Sequence, residues 1–353
     1  MQRLIGMSLL MSIVEQAIAA SERVPLPDVA TRAAIRYLVE RTKRQLARQP
    51  NDASEQFARN MATFPIALAT AEANEQHYEI PSRFFELALG KRRKYSCGYY
   101  ETPETTLDEA EEAALALTVE HAGIANGHDI LELGCGWGSL TLWMAEKYPA
   151  SRITAVSNSG SQREYIQWQA TMLGLDNIDV ITSDMNDFVA EGHYDRVVSV
   201  EMFEHIANWQ QLIEKVTHWL TPNGRFFMHV FSHKAAPYRF DHNDKSDWIA
   251  QHFFTGGVMP SHKLIHQFSD LINVEQEWRW TGDHYERTAR DWLRNFDRNS
   301  DEIDRVLASV YGTDAGLWKR RWRLFFLATM GLFGHDGGHE WGVSHYLMRA
   351  NSG

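Results

Sequence analysis

The sequence predicts an α/β protein built on a doubly wound parallel sheet behind a helical N-terminal cap, and three observations carry that prediction. From Leu107 onward, short β-branched runs alternate with amphipathic helical segments, the texture of a parallel sheet with crossover helices. The buried run Ile130-Leu131-Glu132-Leu133 ends in Gly134-Cys135-Gly136-Trp137-Gly138 and leads into a helix, the strand-turn-helix unit that opens many ligand-binding sheets. The first ninety or so residues instead carry Ala, Leu and Arg at helical spacing.

The elements follow in order. Helical spacing runs from Asp28 to Arg48 and continues from Asn51 to Ala73. Strands are expected at Asp129–Leu133, Arg152–Val156, Asp179–Thr182, Tyr194–Val200 and Arg225–Phe231, with helices at Ser139–Lys147, Ser161–Leu173 and Trp209–Leu220. Pro222-Asn223-Gly224 turns the chain into the fifth strand. The stretch from Lys234 to Ser261 contains Pro237, Gly256, Gly257 and Pro260, which predicts an irregular insertion near the mouth of the sheet that helps enclose a substrate. A strand at Val274–Thr281, helices from Tyr285 towards Gly334 and a strand at Trp341–Met348 complete the chain.

Composition narrows the function. The 353 residues suit two domains or one large domain with an appendage, and 44% hydrophobic with 23% charged residues excludes disordered, collagen-like and coiled-coil classes. A net charge of −11 argues against nucleic acid as the main partner. Two cysteines, Cys97 and Cys135, build no disulfide framework and fit a reducing, cytoplasmic setting. The apolar stretch Leu4–Val14 is too short to span a bilayer; it reads as a docked helix that would suit a homodimer contact, with a secretory signal as the weaker alternative, so no stable membrane insertion is expected. His335 and His339 are four apart, but Gly337 and Gly338 break the helix a two-histidine metal site needs, so no metal is assigned.

The glycine turn is G-x-G-x-G with Glu132 two residues upstream, not the G-x-G-x-x-G of dinucleotide folds. By itself such a turn is also compatible with a structural role alone. In its setting it resembles the first motif of S-adenosylmethionine-dependent methyltransferases, which implies a Rossmann-like seven-stranded methyltransferase sheet with S-adenosyl-L-methionine as cofactor. The resemblance assigns Gly134, Cys135 and Gly136 to the amino acid portion of the cofactor. It assigns Ser157, Asn158 and Gln162 to the ribose side, and Asp184 with Met185 to the adenine. Asn158 stands where many such enzymes carry an acid, and Asp184 read alone is equally a turn former.

Longer blocks sharpen the resemblance. His77-Tyr78-Glu79-Ile80-Pro81, Phe84-Phe85, Lys94-Tyr95-Ser96-Cys97-Gly98-Tyr99-Tyr100 and Thr106-Leu107-Asp108-Glu109-Ala110 are similar to the leading segment of the cyclopropane-fatty-acid-synthase superfamily. Glu201-Met202-Phe203-Glu204-His205, His229-Val230-Phe231-Ser232-His233-Lys234, Thr255-Gly256-Gly257-Val258-Met259-Pro260-Ser261, His284-Tyr285 and Ser344-His345 most resemble its coclaurine N-methyltransferase branch. The similarity runs from about His77 to Arg349. It implies that Tyr95 and Ser96 touch the cofactor, and that Tyr78, Glu79, Trp322 and Phe325 face a small amine substrate, aromatic or alkaloid-like; taken without the resemblance, the Trp322 and Phe325 rings read equally as core. Residues 1–106 are then a cap and cofactor-covering segment, and 107–353 the catalytic domain with lid insertions at about 234–272 and 285–334.

Glu201, Glu204 and His205 follow the fourth strand, where the carboxyl edge of the sheet faces the cofactor. Two carboxylates and an imidazole would attract a substrate ammonium and manage its proton. The expectation is that Glu204 and His205 orient the amine and accept its proton while Glu201 assists close to the cofactor; taken without the resemblance, a capping His205 and a solvated glutamate account for the same residues. The resemblance also implies a competing lipid reaction, in which an alkene attacks the methyl group and a bicarbonate base sits in a cage of Cys97, Glu204, His229 and Tyr285. Glu201 stands where the lipid enzymes commonly carry glycine, and no strongly basic face suits an anionic membrane, so the amine is preferred. A silent scaffold would be expected to lose the Glu204-His205 pair, which is retained.

Overall fold

The computed structural model describes residues 26–68, 80–241 and 248–351. The chain begins with α1 (Asp28–Leu46), α2 (Ala53–Met61), α3 (Ser82–Ala88) and α4 (Leu107–Ala122). The sheet region then runs β1 (Asp129–Leu133), α5 (Ser139–Lys147), β2 (Arg152–Ser157), α6 (Gly160–Leu173), β3 (Ile178–Thr182), β4 (Tyr194–Val200), α7 (Trp209–Trp219) and β5 (Leu220–His233). After β5 come β6 (Tyr238–Arg239), α8 (Trp248–His252), β7 (Val258–Met259), β8 (Ile272–Thr281), α9 (Gly282–Arg298), α10 (Ser300–Tyr311), α11 (Ala315–Phe333) and β9 (Trp341–Ala350).

Seven strands form one sheet in the order β3-β2-β1-β4-β5-β9-β8. The pairs from β3 to β5 are parallel, whereas β9 is antiparallel to both β5 and β8. The strand order reverses between β1 and β4, and loops leaving the carboxyl ends on either side of such a reversal diverge and leave a crevice. The central strands are buried on both faces, as β1 shows with Ile130, Leu131 and Leu133 wholly inaccessible. β5 starts earlier than Arg225 because Leu220 already pairs with Tyr194; the turn at Pro222–Gly224 is then absorbed as a register shift before Arg225 meets Arg196. The insertion after β5 is not wholly irregular, since β6 and β7 pair antiparallel and α8 lies between them.

The helical reading of Asn51–Ala73 is corrected. The helix stops at Met61, and Phe64, which precedes Pro65, begins a stretch stitched down by two asparagines. Asn208 donates its amide to the Phe64 carbonyl at 2.8 Å, and Asn186 pairs with both the N–H and the carbonyl of Ala67 at 3.1 and 3.2 Å. Side-chain amides satisfy the backbone groups that a continued helix would have paired internally. Residues 69–73 lie outside the described residues, as does Leu4–Val14. Among the described residues no helix is long and apolar enough to cross a membrane.

An aromatic block ties the early helices to the late ones. Phe84 lies 4.7 Å from Trp322 and 6.1 Å from Phe296, and Phe85 lies 5.1 Å from Trp137 beside the glycine turn. All five of these rings are buried, and each fully buried ring of this size is worth about 1.5–3 kcal/mol. Arg323 of α11 adds paired contacts to Asp28 at the start of α1 and to Asp297 at the end of α9. The capping box at Thr106 and Glu109 fixes where α4 starts, and Gly123 in the left-handed conformation ends it below β1.

Glu132, inside β1, accepts a hydrogen bond from the Thr141 hydroxyl of α5 at 2.6 Å and thereby sets the angle of the turn between them. Burial pushes its carboxyl up to about 8, against an ordinary value of 4.5. A raised folded-state value stabilises the fold fully below about pH 4.5, and that contribution is lost as pH rises through about 8. Glu132→Gln keeps the shape of the neutral acid without that loss. Thermal melts from about pH 6 to about pH 9 should therefore show wild type losing more stability than the variant; parallel melting profiles would contradict a neutral buried acid at this position.

Candidate active site

The crevice above the carboxyl ends of β1 to β4 is a cleft whose empty space, out to its open mouth, measures about 1260 Å³. Its walls bring together Tyr95, Ser96, Gly134, Cys135, Gly136, Ser157, Asn158, Gln162, Asp184, Met185, Glu201 and His205, which the sequence had distributed over five separate segments. The glycine turn is held against β2 by the N–H groups of Gly134 and Cys135, both donating to the Val156 carbonyl at 2.9 and 3.0 Å. Gly134 has φ +79°, and a Cβ there would lie 2.6 Å from the Met202 side chain. Gly136 has φ +53° and faces open space, so the turn presents bare backbone to the cleft.

The wall beyond β2 is polar and partly unpaired. Ser157 donates its hydroxyl to Gln162 Oε1 at 2.6 Å and accepts from the Ser159 N–H at 3.0 Å. That leaves Gln162 Nε2 buried with no partner among the described residues, as are Thr118 Oγ1, Trp137 Nε1 and Ser139 Oγ on the same cleft. Buried orphan donors are costly unless a ligand meets them. Asp184 is both wall and turn former, because its Oδ1 accepts from the backbone and side chain of Asn186 at 2.8 and 2.9 Å. Bare glycine backbone at a helix start, orphaned donors beside β2 and an acid beside β3 together fit an elongated ligand that carries a carboxylate, hydroxyls and a heteroaromatic amine.

At the floor, Glu201 is the first residue beyond β4 and has φ +47°, a conformation few side chains adopt. Its own N–H donates to the His229 carbonyl. Its Oε1 accepts from the Cys97 N–H at 2.9 Å and from His229 Nε2 at 3.2 Å, and its Oε2 accepts from the Tyr285 hydroxyl at 2.5 Å. Cys97, His229 and Tyr285, three members of the cage expected to hold a bicarbonate, thus bond to Glu201. The left-handed turn at Glu201 aims its carboxyl back towards β5 and α9, while Glu204 sits three residues on, in the short turn Phe203–His205. Cys97, His229 and Tyr285 lie behind Glu201, and neither they nor the buried Glu204 are among the residues that line the cleft.

Burial raises the Glu201 carboxyl, opposed by the Lys94 ammonium and the Cys97 N–H. Glu204 is pushed up further, by burial and then by the Glu201 charge, and its Oε2 has no partner among the described residues. His205 lines the cleft and stacks on Phe254 of the insertion at 5.0 Å. Lys94 escaped sequence reasoning: it is 2% exposed and gives its Nζ to Ser96 Oγ at 2.5 Å and to the Cys97 carbonyl at 2.7 Å. Only its place in the block beginning Lys94-Tyr95-Ser96 could have marked it, since nothing in a sequence reports that a lysine is buried.

Trp322 and Phe325 are not on the cleft wall. They lie in the aromatic block, where Phe253 from the insertion stacks on Phe325 at 4.5 Å and meets Trp322 at 5.1 Å. Tyr78 and Glu79 fall outside the described residues.

Comparison with known proteins agrees with this geometry. Residues 68–335 match the family of mycolic acid cyclopropane synthetase. (S)-coclaurine N-methyltransferase of Thalictrum flavum subsp. glaucum is 37% identical over 289 residues, 80% of each chain. Pavine N-methyltransferase of the same plant is 34% identical over 297 residues, 83% of each chain. The crystal structure of a coclaurine N-methyltransferase bound to N-methylheliamine and S-adenosylhomocysteine is 32% identical and superposes with a TM-score of 0.89, covering 98% of this chain and 99% of that one. The cleft at the strand-order reversal and these matched lengths lead to one conclusion: the chain belongs to the mycolic acid cyclopropane synthetase family and is an S-adenosylmethionine-dependent methyltransferase.

Proposed function

We propose that this enzyme methylates the nitrogen of a small amine, aromatic or alkaloid-like, and that two buried carboxyls divide the work. Bound S-adenosylmethionine supplies a methyl group made electrophilic by its sulfonium. Gly134, Cys135 and Gly136 hold its amino acid portion, with Tyr95 and Ser96 beside them; Ser157, Asn158 and Gln162 meet the ribose, and Asp184 and Met185 the adenine. The cap through residue 106 and the insertions at about 234–272 and 285–334 enclose the acceptor. Residues Ala67 and Thr255 reach the cleft wall from these two sides, which supports that role.

The observation that carries the amine reading is the buried Glu204 Oε2, which has no partner among the described residues, beside a Glu201 whose two oxygens are already bonded. A buried acid with a vacant oxygen gains most from an ammonium, which pairs its charge and donates a hydrogen bond at once. Glu204 and His205 orient that amine and take its proton, so that the freed lone pair points at the cofactor methyl. The lipid reaction needs a free bicarbonate among Cys97, His229 and Tyr285, and the chain's own Glu201 carboxylate takes the bonds of all three. That substitution favours the amine.

Purified protein given methyl-labelled S-adenosylmethionine should transfer label to coclaurine, heliamine or a simpler aromatic amine; label entering unsaturated phospholipid vesicles alone overturns the reading. Glu204→Ala and His205→Ala should each lower kcat by about a hundredfold or more while cofactor affinity stays within about threefold. Full turnover in both variants would remove the assigned roles.

A further inference from the structure

The amino acid portion of the cofactor carries a full negative charge on its carboxylate, whereas bare glycine backbone offers that charge only N–H dipoles. Arg93 lines the same cleft, and its Nη1 is buried with no partner among the described residues. The rest of the guanidinium is held but not neutralised. Its Nη2 meets Glu86 Oε2 at 3.2 Å, an oxygen shared with Arg83 Nη1 at 2.9 Å, and the Glu86 side chain is 44% exposed, so solvent weakens the pair. The guanidinium carbon lies 4.4 Å from the centre of the Tyr165 ring, a cation–π contact that holds the group against α6.

Three consecutive basic residues, Arg92, Arg93 and Lys94, take different directions because a buried acid folds the turn that carries them. Glu111 of α4 is wrapped by that turn and accepts from the N–H groups of Gly90, Arg92 and Lys94 at 3.0, 2.8 and 3.3 Å. A Cβ on Gly90 would lie 2.6 Å from the carboxyl, so the wrap needs glycine there. Arg93 closes the turn by donating its own N–H to the Gly90 carbonyl at 3.0 Å, and it takes φ +51°. Few side chains adopt that conformation, and here both neighbours are anchored. Arg92 is left paired with Glu112 and Glu146, none of them on the cleft wall, and Lys94 with Ser96 and the Cys97 carbonyl. Arg93 is the member of the three whose charge reaches the cleft with a donor unspent.

The Tyr165 ring that carries the guanidinium also meets Trp137 at 5.5 Å, which puts Arg93 at the glycine-turn end of the cleft. Trp137 Nε1 and Ser139 Oγ are orphaned at that same end, one inside the turn and one on the first residue of α5. Buried donors beside an incompletely paired cation call for an anion with several lone pairs, and a carboxylate offers about four. A substrate ammonium would be repelled here. We propose that Arg93 binds the carboxylate of S-adenosylmethionine through Nη1, a charge-assisted contact that the glycine turn by itself does not supply. The inference rests on the cofactor and not on the amine reading, since every acceptor in this family draws its methyl group from the same molecule.

The test is equilibrium binding to the full chain by calorimetry, with two ligands. S-adenosylhomocysteine carries the carboxylate; its decarboxylated analogue keeps the purine, ribose, sulfur and amine and lacks only that group. Arg93→Met leaves an unbranched stem against Tyr165 and removes the charge. It should weaken S-adenosylhomocysteine by about tenfold to a hundredfold and the decarboxylated analogue by no more than about threefold. Arg93→Lys keeps the charge without the planar fork and should fall between wild type and Arg93→Met for S-adenosylhomocysteine alone. Equal losses for both ligands would show that Arg93 supports the cleft and not the carboxylate, and S-adenosylhomocysteine binding within about twofold of wild type would show no contact. Either result overturns the assignment. Should Arg93→Met not fold, Arg93→Lys decides: a loss of about threefold or more confined to S-adenosylhomocysteine supports the contact, and an equal loss or none overturns it. Because only binding is read, the outcome is separate from whether an amine is the methyl acceptor.

Discussion

The site depends on keeping a carboxylate at the bottom of a buried cleft. A charge removed from water costs several kcal/mol unless its lone pairs are met, so whatever meets them is fixed by the same requirement. Glu201 is met by a backbone N–H from the segment before α4, an imidazole from β5 and a phenol from α9. Three parts of the chain far apart in sequence are thereby drawn to one point. Lys94 supplies the opposite charge from the cleft lining, with its Nζ turned to Ser96 and the Cys97 carbonyl. The left-handed backbone at Glu201 is the local cost of aiming the carboxyl into this cage.

This arrangement also separates two acids that are neighbours in sequence. Both Glu201 oxygens are met by protein, whereas Glu204 Oε2 has no partner among the described residues, so of the two acids Glu204 retains the unmet need. Burial raises the Glu204 carboxyl, and repulsion from the Glu201 charge raises it further. A cationic acceptor relieves that repulsion on binding, whereas a neutral alkene leaves it in place. The stitched segment from Phe64 to Ala67 and the β6–β7 insertion both close on the turn that bears Glu204, as the Ala207 N–H bond to the Ile66 carbonyl and the close approach of Gly257 to the Glu204 carbonyl show.

Much of this was legible before any coordinates. Periodicity located β1, β4 and α5 to the residue, because continuous buried runs bounded by glycine leave little freedom. The glycine turn, Ser157, Gln162 and Asp184 were readable because ligand loops follow strand ends. Helix propensity overran Met61, since no local signal announces that Asn186 and Asn208 will capture the next segment from more than a hundred residues away. That Cys97, His229 and Tyr285 would close on Glu201 was not legible for a related reason: spacing places Glu201 and Glu204 on one turn but does not report a positive φ. The buried lysine and the pairing of His229 with His345 needed strand register, which composition does not contain.

The most direct measurement is a crystal structure of the enzyme with S-adenosylhomocysteine and a methylated amine product such as N-methylheliamine. The account predicts the product nitrogen within about 3 Å of a Glu204 carboxyl oxygen or of His205, facing the cofactor sulfur, while Glu201 keeps its bonds to Cys97, His229 and Tyr285. A nitrogen held away from both Glu204 and His205, or a bicarbonate seated among Cys97, His229 and Tyr285 with Glu201 displaced, would contradict it.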